Sequence, residues 1–302
     1  MESVVNKLIE KGLEVKSPEE VAEYLKYNTT WNMLKRSLWL KNNYIENELT
    51  GISFDEVKQL GIIEFHISQA NLVLINTLEH QLKVFISRVY QELSETERET
   101  LEDKVVNHTR RNKKTYVKHI NKTSFKTEEA LDQFLANCSN KVYRLFELYY
   151  FKDFLKIYKF LPEYKRVCRI DPRVNDLRNV IYHHDQILKY ERTRNKKRVR
   201  ESNEKVLKQL TGVYDVPDQD LRIIKKHAPN NSSFVQLNLL LAIKAFLTQS
   251  TSTENMYEQV LEHYSAHINK ANTLTSGMQN IQLWFTSYIK VLLIILEEGN
   301  EN

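Results

Sequence analysis

Residues 61–93, GIIEFHISQANLVLINTLEHQLKVFISRVYQEL, decide the fold class. Leu72, Ile75, Leu78, Leu82, Phe85, Ile86 and Val89 recur at steps of three and four. That spacing lines one face of a helix of about 3.6 residues per turn. Just upstream, Ser53-Phe54-Asp55-Glu56 places a serine three residues before a glutamate, which is a capping box. Ser17-Pro18-Glu19-Glu20 is another helix start: the serine caps, the proline fits the first turn, and the acids face the positive helix end. Outward from the long helix, residues 1–60 read as short helices and 94–126 as a polar, basic loop or loosely packed excursion. The helical pattern resumes over 127–160 with Leu131, Phe134, Leu135, Val142, Leu145, Phe146 and Phe154, and Pro162 ends or kinks it. Asp171-Pro172 offers the next start, with Asn175-Asp176 as a second candidate, and the helix that follows is predicted to run to about Arg200. Beyond Gly212 and Pro217, helices are predicted near 218–228, 232–248, 253–271 and 277–297.

Composition agrees with an all-α chain. In 302 residues there are only 6 Gly and 5 Pro, too few for an all-β fold that turns every ten residues or so. No G-x-G-x-x-G or G-x-x-x-x-G-K occurs, so a glycine-rich nucleotide cradle is excluded. The balance of 41% hydrophobic and 27% charged residues is that of a globular protein. The expected organisation is a helical region over 1–60, a core over 61–200 that carries a basic insertion at 94–126, and a helical region over 201–302. Cys138 and Cys168 are the only cysteines, too few for a disulfide framework or a cysteine-based zinc site. The opening MESVVNKLIEKGLEV mixes acid and base and does not read as a signal peptide. The most apolar stretch, IQLWFTSYIKVLLIILEE at 281–298, is interrupted by Lys290 and is shorter than the ~20 residues of a span. A cytoplasmic protein with no membrane partner is expected.

The net charge of +5 conceals an asymmetry. Residues 104–126 hold eight Lys/Arg and no acid, among them Arg110, Arg111, Lys113, Lys114 and Lys118. Residues 189–200 hold seven Lys/Arg, among them Arg192, Arg194, Lys196, Lys197, Arg198 and Arg200, against the single acid Glu191. The two runs carry +14 between them, so the rest of the chain carries −9. Two concentrated runs in an otherwise acidic chain point to a polyanion, and these residues are the candidate RNA contacts. Two solvated basic surfaces are the plainer alternative.

Between the runs lies LRNVIYHHDQILKY, residues 177–190, with Arg178, Asn179, His183, His184 and Asp185 on one predicted helix. Arg178 and His183 make R-x-x-x-x-H, a pattern that Arg222 and His227 repeat by chance. The first copy is set apart by the Arg-Asn pair and the double histidine. The chemistry suits RNA. An imidazole titrates near neutrality and can take the proton of a ribose 2′-hydroxyl. A guanidinium can hold the phosphate and offset charge building on its oxygens, and an asparagine can orient either group. The nucleophile belongs to the substrate, so no metal or cofactor is needed. Adjacent histidines also point to different helix faces, which argues against a metal at His183 and His184. On an ideal helix Arg178 and His183 stand about 140° apart, so a second copy of the helix in a two-fold dimer would complete the site. A surface or interface helix with ordinary polar residues remains the alternative on these residues alone.

The RN-x-x-x-HH pattern resembles that of the Abi-like abortive-infection family, the AbiD/AbiF group of the HEPN superfamily. LIEKGLEVKSPEEVAEYLK from Leu8 is similar to that family's opening segment, ISFDEVKQL from Ile52 to its next, and TLEHQLKVFISR from Thr77 to a helix carrying Glu79, with Lys83 where arginine is usual. The resemblance covers roughly residues 5–190. EFHISQA at 64–70 lacks the family's Asp and Arg, and DQILKYER at 185–192 lacks its Arg and Trp. What the resemblance implies is an all-α, HEPN-type helical bundle, here with N-terminal and C-terminal helical extensions. It also implies a metal-independent endoribonuclease site at a homodimer interface, and a role in phage defence. Arg178 would bind the phosphate, His183 would be the acid/base and Asn179 would orient them, with Glu79, His184 and Asp185 as possible support. Two other readings stay open: an RNA-binding protein of the same fold, with or without a bound noncoding RNA and without constitutive cleavage, and a helical protein-interaction module.

Overall fold

Both helix starts read from the sequence form as their spacing requires. In the computed structural model Ser17 Oγ accepts from the Glu20 backbone N–H at 3.2 Å and opens α1 (Pro18–Tyr27). Ser53 Oγ accepts from Glu56 N–H at 3.2 Å while Glu56 Oε2 accepts from Ser53 N–H at 2.7 Å, and this reciprocal cap opens α2 (Phe54–Glu92), 39 residues long. The structure describes residues 5–6, 9–10, 12–27, 53–112, 127–137, 142–143, 146, 149–161, 169–183, 196–227, 232–246, 256, 258–260, 262–263 and 279–297. Among these the regular structure is helical, with one isolated parallel bridge between Glu14 and Ser53 and no strand. The protein is all-α.

Residues 95–111 correct the sequence expectation. Where the start of a loop was expected, α3 (Glu95–Arg111) follows α2 after a two-residue break, and the rest of that stretch, 113–126, lies outside the described residues. Ser94 and Glu97 form a second capping box, and Leu101, Val105, Val106 and Thr109 make a narrow buried stripe along an otherwise polar helix. Four buried positions among charged ones give a weak apolar pattern, and the local signal that does mark the helix is the cap. Arg98 then donates to the Tyr90 carbonyl at 3.1 Å, satisfying one of the acceptors that the last turn of α2 leaves unpaired. Tyr90 donates to Glu102 at 2.6 Å across the same corner. α4 (Glu128–Asn137) and α5 (Phe151–Tyr158) follow. α5 is held to the end of α3 by His108 Nε2 against Asp153 Oδ1 at 3.0 Å and by a 2.6 Å hydrogen bond between the Thr109 and Tyr149 hydroxyls. Burial raises the Tyr149 hydroxyl above the ordinary tyrosine range, which keeps it a neutral partner.

α6 (Arg173–Tyr182) corrects a second expectation. It begins where Asp171-Pro172 placed it, with Asp171 Oδ1 accepting from Arg173 N–H at 2.9 Å. It does not run to Arg200. His183 caps its C-terminus at φ −88°, ψ 8°, and the His183 N–H turns to the Asn179 and Ile181 carbonyls, which tightens and closes the last turn. The basic residues from Lys196 open a separate helix, α7 (Lys196–Val213), followed by α8 (Asp218–His227), α9 (Ser232–Phe246) and α10 (Gln279–Glu297). No helix among the described residues is long and apolar enough to cross a membrane.

The centre of the molecule is α9. Every residue from Phe234 to Ile243 is buried. A helix apolar on all sides needs neighbours on all sides, and α9 packs against α2, α6, α7 and α10. Its two buried polar residues in that run are both paired: Gln236 accepts from Tyr288 of α10, and Asn238 accepts from Asp171 N–H at 2.7 Å and donates to the Arg169 carbonyl at 3.0 Å. Arg173 closes the same corner. Its guanidinium grips Asp171 with Nη2 at 2.6 Å and reaches Asn203 of α7 at 3.1 Å. The start of α6 is thereby held by four side chains, Asn238, Asp171, Arg173 and Asn203.

Asn238→Ala strips partners from one buried N–H and one carbonyl, so it is expected to lower unfolding free energy by about 1–3 kcal/mol. Urea unfolding of the variant against the parent chain measures it, and a change below about 0.5 kcal/mol would mean that Asn238 does not hold this corner.

Candidate functional site

α6 presents two faces. Val174, Leu177, Val180 and Ile181 are buried at helical spacing and seat the helix against α2 and α9. Arg178 and Asn179 are half-buried at the edge of that face, and Tyr182 and His183 are exposed at its end. On the facing side of α2, Asn76, Glu79 and Lys83 stand at i, i+3 and i+7 and form a polar stripe.

The stripe holds Arg178. Glu79 Oε2 lies 3.9 Å from Arg178 Nη2, close enough for Coulombic attraction and too far for a hydrogen bond. The other carboxylate oxygen of Glu79 accepts from Lys83 Nζ at 3.1 Å. One carboxylate therefore serves two cations and leaves the group with one positive charge in excess. The Arg178 guanidinium carbon sits 4.5 Å from the centre of the Tyr182 ring, and the Tyr182 hydroxyl donates to Asn76 Oδ1 at 3.3 Å. Arg178 Nε is buried with no hydrogen-bond acceptor among the described residues. Lys83 is also constrained, with Nζ 4.8 Å from the centre of the Phe154 ring.

The sequence reading placed Arg178, Asn179 and His183 on one helix, and the structure keeps them there. It also brings Glu79 to Arg178. Within one chain, Arg178 turns toward α2, whereas His183, past the last turn, stands exposed. Neither the Asn179 nor the His183 side chain makes a hydrogen bond among the described residues. His184 and Asp185 lie outside the described residues, as do Lys113, Lys114, Lys118, Arg192 and Arg194. Arg110 and Arg111 are exposed in the last turn of α3. Lys196, Lys197, Arg198 and Arg200 occupy the first turns of α7, and their side chains are outside the description. Asn76 and Tyr182 were not singled out in the sequence. The signal for Asn76 was its register with Glu79 and Lys83, and for Tyr182 its place one turn after Arg178. Among the described residues no three His, Cys, Asp or Glu side chains gather as a metal site.

No family model matches the chain, and neither a curated protein nor a solved structure matches it.

The distances rank the two partners of Glu79. In double-mutant cycles, Glu79→Gln with Lys83→Met is expected to show the larger coupling, and Glu79→Gln with Arg178→Met the smaller, each under about 1 kcal/mol for such partly exposed pairs. Urea unfolding of the two sets of variants gives the comparison. A dominant Arg178 coupling would mean that its guanidinium is committed to Glu79 rather than open to an outside anion.

Proposed function

We propose that this chain is a metal-independent endoribonuclease of the HEPN type, acting in abortive-infection defence against phage. The observation that carries the reading is the arrangement at the end of α6. A guanidinium is steadied by a carboxylate and an aromatic ring, and the same short helix ends on an exposed histidine. His183 takes the proton of a ribose 2′-hydroxyl. The O2′ atom forms a bond to phosphorus as the bond to the 5′ oxygen breaks, and that oxygen takes a proton from solvent. Arg178 offsets the charge on the phosphate oxygens, and Asn179 orients the phosphate or the imidazole. The products are a 2′,3′-cyclic phosphate and a 5′-hydroxyl. DNA, which lacks the hydroxyl, is not cut. The net positive charge around Glu79 and the exposed Arg110 and Arg111 favour a polyanionic substrate.

The divergence of Arg178 and His183 within one chain favours a two-fold homodimer, in which a second α6 supplies the missing half of each constellation. A chain of the same fold that holds RNA without cutting it would share the basic residues and lack the products; a helical protein-interaction module would lack both.

The purified chain is expected to leave RNA ends carrying a 2′,3′-cyclic phosphate, with activity unchanged by excess chelator. His183→Ala is expected to abolish cleavage and toxicity on expression while moving stability by no more than about 0.5 kcal/mol, since the residue is exposed. Wild-type cleavage by this variant, or activity that vanishes with chelator and returns with a divalent ion, would sink the mechanism. Light scattering at micromolar concentration is expected to give twice the chain mass; a monomer cleaving at full rate would remove the dimer from the reading.

A further inference from the structure

Tyr182 is the last residue of α6, between the Arg178 turn and His183, and its side is open: the residue is 48% exposed. A single exposed aromatic is ordinary on a protein surface. What distinguishes Tyr182 is that it is exposed and held at the same time. The Arg178 guanidinium covers it at 4.5 Å, and its hydroxyl is tethered to Asn76 Oδ1 at 3.3 Å. A ring anchored through its polar tip and through a neighbouring cation has lost most of its rotamer freedom before any ligand arrives, so stacking on it forfeits little further entropy. Its remaining surface is flat, apolar and adjacent in sequence to the exposed imidazole.

We propose that Tyr182 is a stacking platform for an unpaired nucleobase, and that it makes the site selective for single-stranded RNA. The proposal rests on the ribonuclease reading for the identity of the polyanion. Its chemistry is independent of phosphate contacts, because an aromatic face recognises a base, and every base has one. In a duplex the bases are stacked on each other and out of reach, and protein reads the helix by its shape and backbone. A base resting on Tyr182 would bring its ribose to the adjacent His183, while the Arg178 of the second α6 in the proposed dimer meets the phosphate, the order that 2′-hydroxyl attack requires. Tyr182 is therefore a positioning residue that selects the conformation of the substrate, while Arg178 and His183 act on the reacting atoms.

The test uses the full chain carrying His183→Ala, so that RNA stays intact, with Tyr182→Leu and Tyr182→Phe added in turn. The probes are a fluorescent single-stranded oligoadenosine and an abasic ribose-phosphate oligomer of equal length and charge. The Tyr182→Leu chain is expected to lose about tenfold in affinity for oligoadenosine and to bind the abasic oligomer unchanged, the loss expected of one base–aromatic stack. Tyr182→Phe, which keeps the ring and loses only the Asn76 tether, is expected to stay within about twofold of the parent. Unchanged affinity of Tyr182→Leu for oligoadenosine overturns the proposal, and if the wild-type chain still cleaves RNA the ribonuclease reading stands without it. Equal losses on both probes overturn it as well, since the ring would then serve only to steady Arg178. Failure of the parent to bind either probe overturns this proposal and the RNA reading together.

Discussion

An uninterrupted buried run in one helix sets the terms for the rest of the molecule. Phe234 to Ile243 in α9 has no face left for water, so the chain must surround it, and α2, α6, α7 and α10 do so. Apolar burial supplies most of the driving force but is not directional. Direction comes from the two polar residues inside the run. A buried amide left without partners costs about 1–3 kcal/mol, so Gln236 must meet Tyr288, and Asn238 must meet the backbone at Arg169 and Asp171. Those contacts set α9 against α10 and against the start of α6.

The consequence for the site follows from the length of α6. Ten residues do not hold a helix in water unaided. Its start is held by Asn238, by the Asp171–Arg173 pair and by Asn203, and its apolar face is seated on α2 and α9. Its free end carries Tyr182 and His183. The side chains that could act on a ligand thus project from a short rigid element clamped at the opposite end, and α2 adds Glu79 and Asn76 to steady Arg178 and Tyr182. Residues far along the chain, from α7 and α9, determine where residue 183 stands.

The fold class was legible because α2 announces itself twice, through the Ser53–Glu56 box and through an apolar repeat from Leu72 to Val89 that is buried as its spacing requires, Leu72 alone remaining half-buried. α9 was legible as a helix and illegible as the centre, since a helix buried all round has no polar face for periodicity to reveal. α3 was read as a loop because four buried residues in seventeen make a faint stripe among charges, although Ser94 and Glu97 repeat the box already recognised at Ser53. The end of α6 was overrun because closure at His183 is a matter of backbone geometry that histidine does not signal. At the site, Glu79 was singled out through the resemblance of TLEHQLKVFISR to a family helix. Asn76 and Tyr182 were not, because their meeting joins residues 106 positions apart.

The two basic runs differ in what folding asks of them. Arg110 and Arg111 lie in the last turn of α3, where the helix end carries partial negative charge, and cations there contribute about 0.3–1 kcal/mol each. That placement stabilises α3 and leaves both cations exposed. Lys196, Lys197, Arg198 and Arg200 stand at the opposite kind of end. They open α7 with no acid in its first turn, where the helix already carries partial positive charge and where acids are the stabilising choice. The stability of α7 comes instead from its packing on α9 and from Asn203 on Arg173.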